Sequence, residues 1–131
     1  MNGNGVHFNG TSWTARQNVS NSTMNAVHAY DANNVWAVGE LGAASRWDGT
    51  TWTRIYVTGF PISVDVNLTS VYVEAPDSVW AVAGASGNLF HWNGTAWRLA
   101  SVTEQPSGAR AITVLSGGKL RTVGSGMQIA R

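Results

Sequence analysis

The chain has 131 residues, enough for one domain with a real core, and its eight basic and seven acidic residues leave a formal charge of +1. Charges that scattered and that balanced give no electrostatic footprint for nucleic acid or for an anionic membrane surface, so neither is expected as a partner. With no cysteine and no long apolar run after Met1, the sequence offers no disulfide, no thiolate metal site, no signal peptide and no membrane span.

That pattern suits a cytoplasmic protein or a segment of an exported one, and the compartment stays open. Seven tryptophans, fifteen glycines and 11% charged residues favour many short strands joined by tight turns, with aromatic area in place of long aliphatic side chains.

In chain order, the first predicted element is a hairpin from Gly5 to Arg16 turning at Phe8-Asn9-Gly10-Thr11-Ser12-Trp13. An alternating run, Met24, Val27 and Ala29, follows and ends at Asp31-Ala32-Asn33-Asn34. Val35-Trp36-Ala37-Val38-Gly39 reads as the next strand, closed by Gly39 to Gly42. Then comes a second aromatic hairpin, Trp47-Asp48-Gly49-Thr50-Thr51-Trp52, and a long connection from Tyr56 to Asn67.

The same series then recurs. Leu68, Val71 and Val73 are followed by Val79-Trp80-Ala81-Val82-Ala83 and by Trp92-Asn93-Gly94-Thr95-Ala96-Trp97. A third pass opens with Ala109, Ile112 and Val114 and continues through Leu120-Arg121-Thr122-Val123-Gly124, with Arg121 in the place of Trp36 and Trp80. The closing tryptophans stand 39 and 45 residues apart, a period that signals a repeat architecture. Period-two alternation with β-branched enrichment, and no sustained helical stripe, makes each unit four antiparallel strands, A to D. The Asn-Gly and Asp-Gly pairs predict two-residue hairpin loops, which set Trp47 diagonal to Trp52 on one face.

A repeated four-stranded meander is the blade of a β-propeller. The pattern Val-Trp-Ala-Val-Gly, then Gly, then Trp-Asp-Gly-x-x-Trp resembles the tandem propeller repeats of bacterial surface and secreted proteins. More loosely, it is similar to the tectonin repeats of propeller lectins. The expectation is therefore an all-β fold of about three blades in one segment spanning 1–131. Its repeats fall at 5–23, 24–67, 68–108 and 109–131, the first and last incomplete. Propellers close with about 4–8 blades, so three per chain predict a homodimer that completes a six-bladed ring. The competing reading is a piece of a longer array.

Little here suggests catalysis. His7, His28 and His91 show no convergent spacing for a metal, no Gly-x-Ser-x-Gly elbow raises a nucleophile, and Asp31, Asp48 and Asp77 sit where turns need them. The expectation is no enzyme, no cofactor and no metal. A binding module fits better, with the D–A and B–C connections at one end of the ring. Those connections carry Glu40, Phe60 and Asp65. An aromatic ring beside a carboxylate is how a lectin holds a sugar, so carbohydrate or another small polar ligand is the first candidate. A protein-assembly platform is the alternative. Trp36, Trp80 and Arg121 complete the candidate site, against the plainer reading that both tryptophans pack beneath the next blade. For Trp13, Trp47, Trp52, Trp92 and Trp97 the expected role is inter-blade core.

Overall fold

A computed structural model of the chain describes residues 3–8, 10–13, 17–100, 109–115, 119–124 and 128–130. Among the described residues, four antiparallel sheets follow one another along the chain. Sheet I pairs β1 (Gly3–Gly5) with β2 (Gln17–Ser20). Sheet II is the meander β3 (Met24–Asp31), β4 (Asn34–Gly39), β5 (Ala44–Trp47) and β6 (Trp52–Arg54). Sheet III repeats it as β7 (Leu68–Ala75), β8 (Ser78–Ala83), β9 (Asn88–Trp92) and β10 (Trp97–Leu99). Sheet IV has β11 (Ala109–Leu115), β12 (Lys119–Gly124) and β13 (Gln128–Ala130). Sheets II and III are the A-to-D units expected from the alternating runs, and the architecture is propeller-like.

The sheets stack through alternate side chains, as the period of two requires. Trp36, Val38 and Ala44 of sheet II, with Val57 of the connection that follows it, meet Leu68, Val71, Val79, Phe90, Trp92 and Trp97 of sheet III in one buried cluster. The opposite face of sheet III presents Trp80, Val82 and Leu89 to Ile112 of sheet IV. Polar groups tie the first junction: the Trp97 Nε1–H donates to the Ile55 carbonyl at 2.9 Å, and the Asn25 amide donates to the Leu68 carbonyl at 2.9 Å.

The hairpin turns differ from expectation. Trp47 lies directly opposite Trp52, and Trp92 opposite Trp97, so each loop has four residues and the tryptophans are cross-strand partners rather than diagonal neighbours. The cause is the side chain that opens the loop. Asp48 Oδ1 accepts the N–H groups of Thr50 and Thr51 at 2.8 Å, and Asn93 Oδ1 accepts those of Thr95 and Ala96 at 2.9 Å. Such side-chain capping stabilises a wider turn than the two-residue form. Only the glycine then needs positive φ, at 99° for Gly49 and 94° for Gly94. The first hairpin keeps the pattern, with Phe8 bridged to Trp13, while its paired strands begin at Gly3 and run to Ser20.

One junction contact is titratable. The Val73 N–H donates to His28 Nδ1 at 3.0 Å, and the imidazole stacks on Tyr72 at 4.6 Å, so the neutral ring carries its proton on Nε2. Burial holds the His28 pKa below its ordinary 6.5. The folded state therefore binds fewer protons than the unfolded chain in that range. The stabilisation is complete above pH 6.5 and is lost as pH falls through the folded-state value. Thermal midpoints should fall on acidification from neutral pH, and His28→Gln should flatten that slope. An unchanged slope in the variant would remove His28 as the cause.

Candidate functional site

The connections separate cleanly by end. The A–B turns at 31–34 and 75–78 lie beside the C–D turns at 48–51 and 93–96: a Cβ on Gly49 would strike the Asn33 side chain, and one on Gly94 would come within 3.0 Å of Asp77 Cβ. The other end gathers the B–C turn at 40–42 and the long D–A connection. There the Leu41 N–H donates to Asn67 Oδ1 at 3.0 Å, and the Gly42 N–H donates to the Val66 carbonyl at 2.9 Å. The Asn88 amide reaches across from sheet III to the Asp65 carbonyl at 3.2 Å.

This loop-bearing end holds a concavity of about 470 Å³ lined by Leu41 and by residues 57–67. Its floor is apolar. Val57 is buried, and Phe60 sits edge-on to Phe90 with ring centroids 5.2 Å apart. Its rim is apolar as well, since Leu41 is mostly exposed and Ile62 fully so. Leu41 also sits at φ 57°, a left-handed conformation that a branched side chain seldom adopts and that costs of order 1–3 kcal/mol. The two hydrogen bonds from Leu41 and Gly42 to the D–A connection hold it there. Polar side chains line it too, Thr58, Ser63, Asn67 and Asp65, and Asp65 is the charged one among them. Its Oδ1 accepts the Asn67 N–H at 2.9 Å, while Oδ2 is buried with no hydrogen-bond partner.

The candidate residues divide accordingly. Phe60 and Asp65 line the concavity, and Glu40 lies next to it, exposed, at the start of the 3-10 turn Glu40–Gly42. Trp36 is 0% exposed between sheets II and III, 5.6 Å from Trp92 and 5.5 Å from Trp97. Trp80 is 8% exposed, 4.2 Å from the His91 ring, and donates its Nε1–H to Glu74 Oε2 at 3.2 Å. Both indoles thus occupy the packing position and offer no face to a ligand at this end. Arg121 stands at their register position, opposite Thr113 and Ile129 as Trp36 is opposite His28 and Arg46; its side chain lies outside the described residues.

Of the residues expected in the inter-blade core, Trp92 and Trp97 are buried there, Trp47 and Trp52 are half-buried, and Trp13 is exposed. Ile62 and the strained Leu41 were not among the candidates. The signal for Ile62 was available, an apolar residue between Pro61 and Ser63 in the longest connection. Among the described residues, no group of three or more His, Asp or Glu side chains is placed to hold a metal ion.

No family model matches the chain, and no curated protein does. Ten solved chains match it in a structural comparison. One is the β-propeller protein YCF48, in a structure described as bound to D1 peptide. It superposes on 82% of this chain with a TM-score of 0.59 at 18% identity. This chain spans 40% of the length of that one, so the likeness concerns the sheet-stacking fold over part of a longer molecule. Together with the two four-stranded meanders, it supports the propeller-like reading of the repeats.

Proposed function

We propose that this chain is a non-enzymatic binding module that takes an extended peptide segment of a protein partner in the concavity at its loop-bearing end. The observation that carries the proposal is Asp65 Oδ2, a buried acceptor without a donor, in a residue that lines a hollow of mixed polarity rimmed by exposed Leu41 and Ile62. Buried carboxylate oxygens are normally hydrogen-bonded, and one left unmade beside a hollow fits a donor supplied by a ligand. A lysine or arginine flanked by apolar residues satisfies both parts, because its stem covers the rim while its head reaches the carboxylate. The peptide in the YCF48 structure is a precedent for the fold alone.

The sugar-binding reading, the first candidate from the sequence, relied on an aromatic ring beside a carboxylate in the loops and on stacking against Trp36 and Trp80, whose rings are buried. Phe60 is the one aromatic residue lining the hollow, and its ring is engaged by Phe90. The assembly-platform reading therefore takes precedence over a lectin.

Panning a displayed random-peptide library against the purified chain, in parallel with a glycan array, separates the two. The expected result is enrichment of basic, apolar-flanked peptides whose affinity drops at least about tenfold in Asp65→Asn, since a hydrogen bond to a charged group contributes about 1.5–3 kcal/mol. Ile62→Ser should weaken them without altering the thermal midpoint. Saturable glycan binding with no peptide enrichment, or peptides indifferent to both substitutions, would overturn the proposal.

A further inference from the structure

Sheets II and III carry one side-chain cluster in two chemical versions, at the end of the molecule away from the hollow. In sheet III, strand register brings Ser78, Trp80 and His91 together beside the A–B turn. Glu74 supplies their acceptor. Its Oε2 takes the Trp80 Nε1–H at 3.2 Å and the Ser78 hydroxyl at 2.9 Å, and Ser78 Oγ lies 2.8 Å from His91 Nε2. In sheet II the same register positions hold Asn34, Trp36 and Arg46. Arg46 stands where His91 does, and its Nη2 donates to Asn34 Oδ1 at 2.8 Å. The carboxylate alone has no counterpart. Glu74 and Tyr30 both fall in the strand irregularity just before the A–B turn, and Tyr30 is 52% exposed.

The consequence falls on the donors. Trp36 is 0% exposed and its Nε1–H has no acceptor; Arg46, the cross-strand partner of Trp36, has a buried Nε–H that also lacks one. Two buried donors left unmade on paired residues are costly and rare in native structures. Asp31 does not serve them. Its Oδ1 accepts from the Asn33 N–H and the Asn34 amide, both at 2.8 Å, and it lies with Ala29 and Val35 along the other face of the sheet.

We infer that this cluster in sheet II is a binding site for a carboxylate brought by a ligand, held by Trp36 Nε1 and Arg46 where sheet III holds the carboxylate of Glu74. The repeat itself is the template, since the Trp80 indole N–H at the equivalent position takes a carboxylate oxygen. Charge favours the same group. Arg46 brings a guanidinium in place of the His91 imidazole, and its fork of donors suits a planar acceptor with two oxygens. Asn34 and Arg46 are half-exposed, so the cluster opens toward the A–B and C–D turns. Such a carboxylate comes either from an acidic side chain of a protein partner or from a small free acid.

The Trp36 indole N–H is the reporter. Isotopically labelled protein is titrated at constant ionic strength with sodium acetate and, separately, with a capped peptide carrying a single glutamate. The indole resonance lost in Trp36→Phe should shift saturably with at least one of them, and chloride should leave it in place. A midpoint for the peptide at least about tenfold below that for acetate marks a partner's side chain as the source; any other saturable response marks a free acid. Arg46→Gln should weaken the response at least about tenfold, as expected on loss of a charge-assisted contact. A second pair of variants reads the site without a ligand. Tyr30→Glu restores a carboxylate within the chain, and Tyr30→Gln is its uncharged match. At pH 7 the glutamate variant should melt at the higher temperature and should no longer respond to either probe. Donors lower the folded-state pKa of a carboxyl they hold, so the gain is present above the unfolded value of about 4.3 and is lost as pH falls through the folded one. An indole resonance unmoved by both probes, or moved equally by chloride, would overturn the inference, as would Tyr30→Glu melting no higher than Tyr30→Gln.

Discussion

Trp36→Ala should lower the unfolding free energy by about 3–5 kcal/mol, the range for truncating a fully buried tryptophan. The indole has no exposed surface, packs against Trp92 and edge-on against Trp97, and belongs to the cluster that joins sheets II and III. Alanine would leave a void between two rigid sheets that collapse poorly around it. Trp36→Phe is the informative companion. The Trp36 Nε1–H is buried without an acceptor, a defect that itself costs about 1–3 kcal/mol and that phenylalanine removes. The phenylalanine variant should therefore lose much less than the alanine variant, despite its smaller ring. Urea denaturation followed by tryptophan fluorescence measures both. An alanine variant within about 1 kcal/mol of wild type would show that the junction is not the core described, since a well-packed buried site does not tolerate that truncation.

Gly39→Val should cost about 2–4 kcal/mol, combining an overpacking term of roughly 1–3 kcal/mol with a broken hydrogen bond of about 1 kcal/mol. The φ of Gly39 is −168°, extended backbone open to any residue, so the reason is space. A Cβ there would run into the Thr23 carbonyl oxygen and stand 2.8 Å from Met24 Cα, both backbone atoms that have no side-chain freedom to retreat. The same carbonyl accepts the Glu40 N–H at 3.0 Å, so moving it away breaks the bond that carries the chain into the B–C turn and hence to Leu41. Gly84→Ala makes the contrast. Its obstacles all belong to the Thr69 side chain, Oγ1 at 2.6 Å, Cγ2 at 2.9 Å and Cβ at 3.2 Å, which can shift without breaking a backbone hydrogen bond, so the loss should be smaller. Equal losses at the two sites, by thermal or urea unfolding, would contradict the steric account.

These two glycines also mark where the sequence stopped being informative. The strand plan was legible because alternation and turn residues repeat: β3 and β7, β4 and β8, and β5 and β9 fall where the runs of Val, Ala and Trp placed them. Equivalence along the repeat does not carry equivalence of contact. Gly39 and Ala83 hold the same register position, opposite Met24 and Leu68, yet the close approach moves by one residue to Gly84 in the second unit. The turn type was misread for a related reason. Asn-Gly and Asp-Gly favour two-residue loops when backbone twist decides, but here the Asp48 and Asn93 side chains capture the following N–H groups and decide instead. Trp13, Trp47 and Trp52 share a motif with Trp92 and Trp97, and their exposure differs because only the last pair has a complete A–B hairpin over it.

The candidate site was partly legible. Glu40, Phe60 and Asp65 were placed at the loop-bearing end by the order of the connections alone. That Trp36 and Trp80 pack between sheets was the plainer of the two readings the sequence allowed; what no pattern reveals is that Leu41 is pinned at positive φ or that Asp65 Oδ2 lacks a donor. The conformation of Leu41 follows from how the D–A connection folds back over the B–C turn, a long-range packing outcome outside the reach of a local pattern.

The most direct test of the binding proposal is a residue-resolved titration. Amide spectra of isotopically labelled protein, titrated with a basic, apolar-flanked peptide selected from the library, should show saturable shifts concentrated at Leu41, Gly42 and the amides of residues 57–67. The amides of the C–D turns at 48–51 and 93–96, at the opposite end, should stay in place. Shifts centred on those turns, with the 57–67 segment unmoved, would contradict the account.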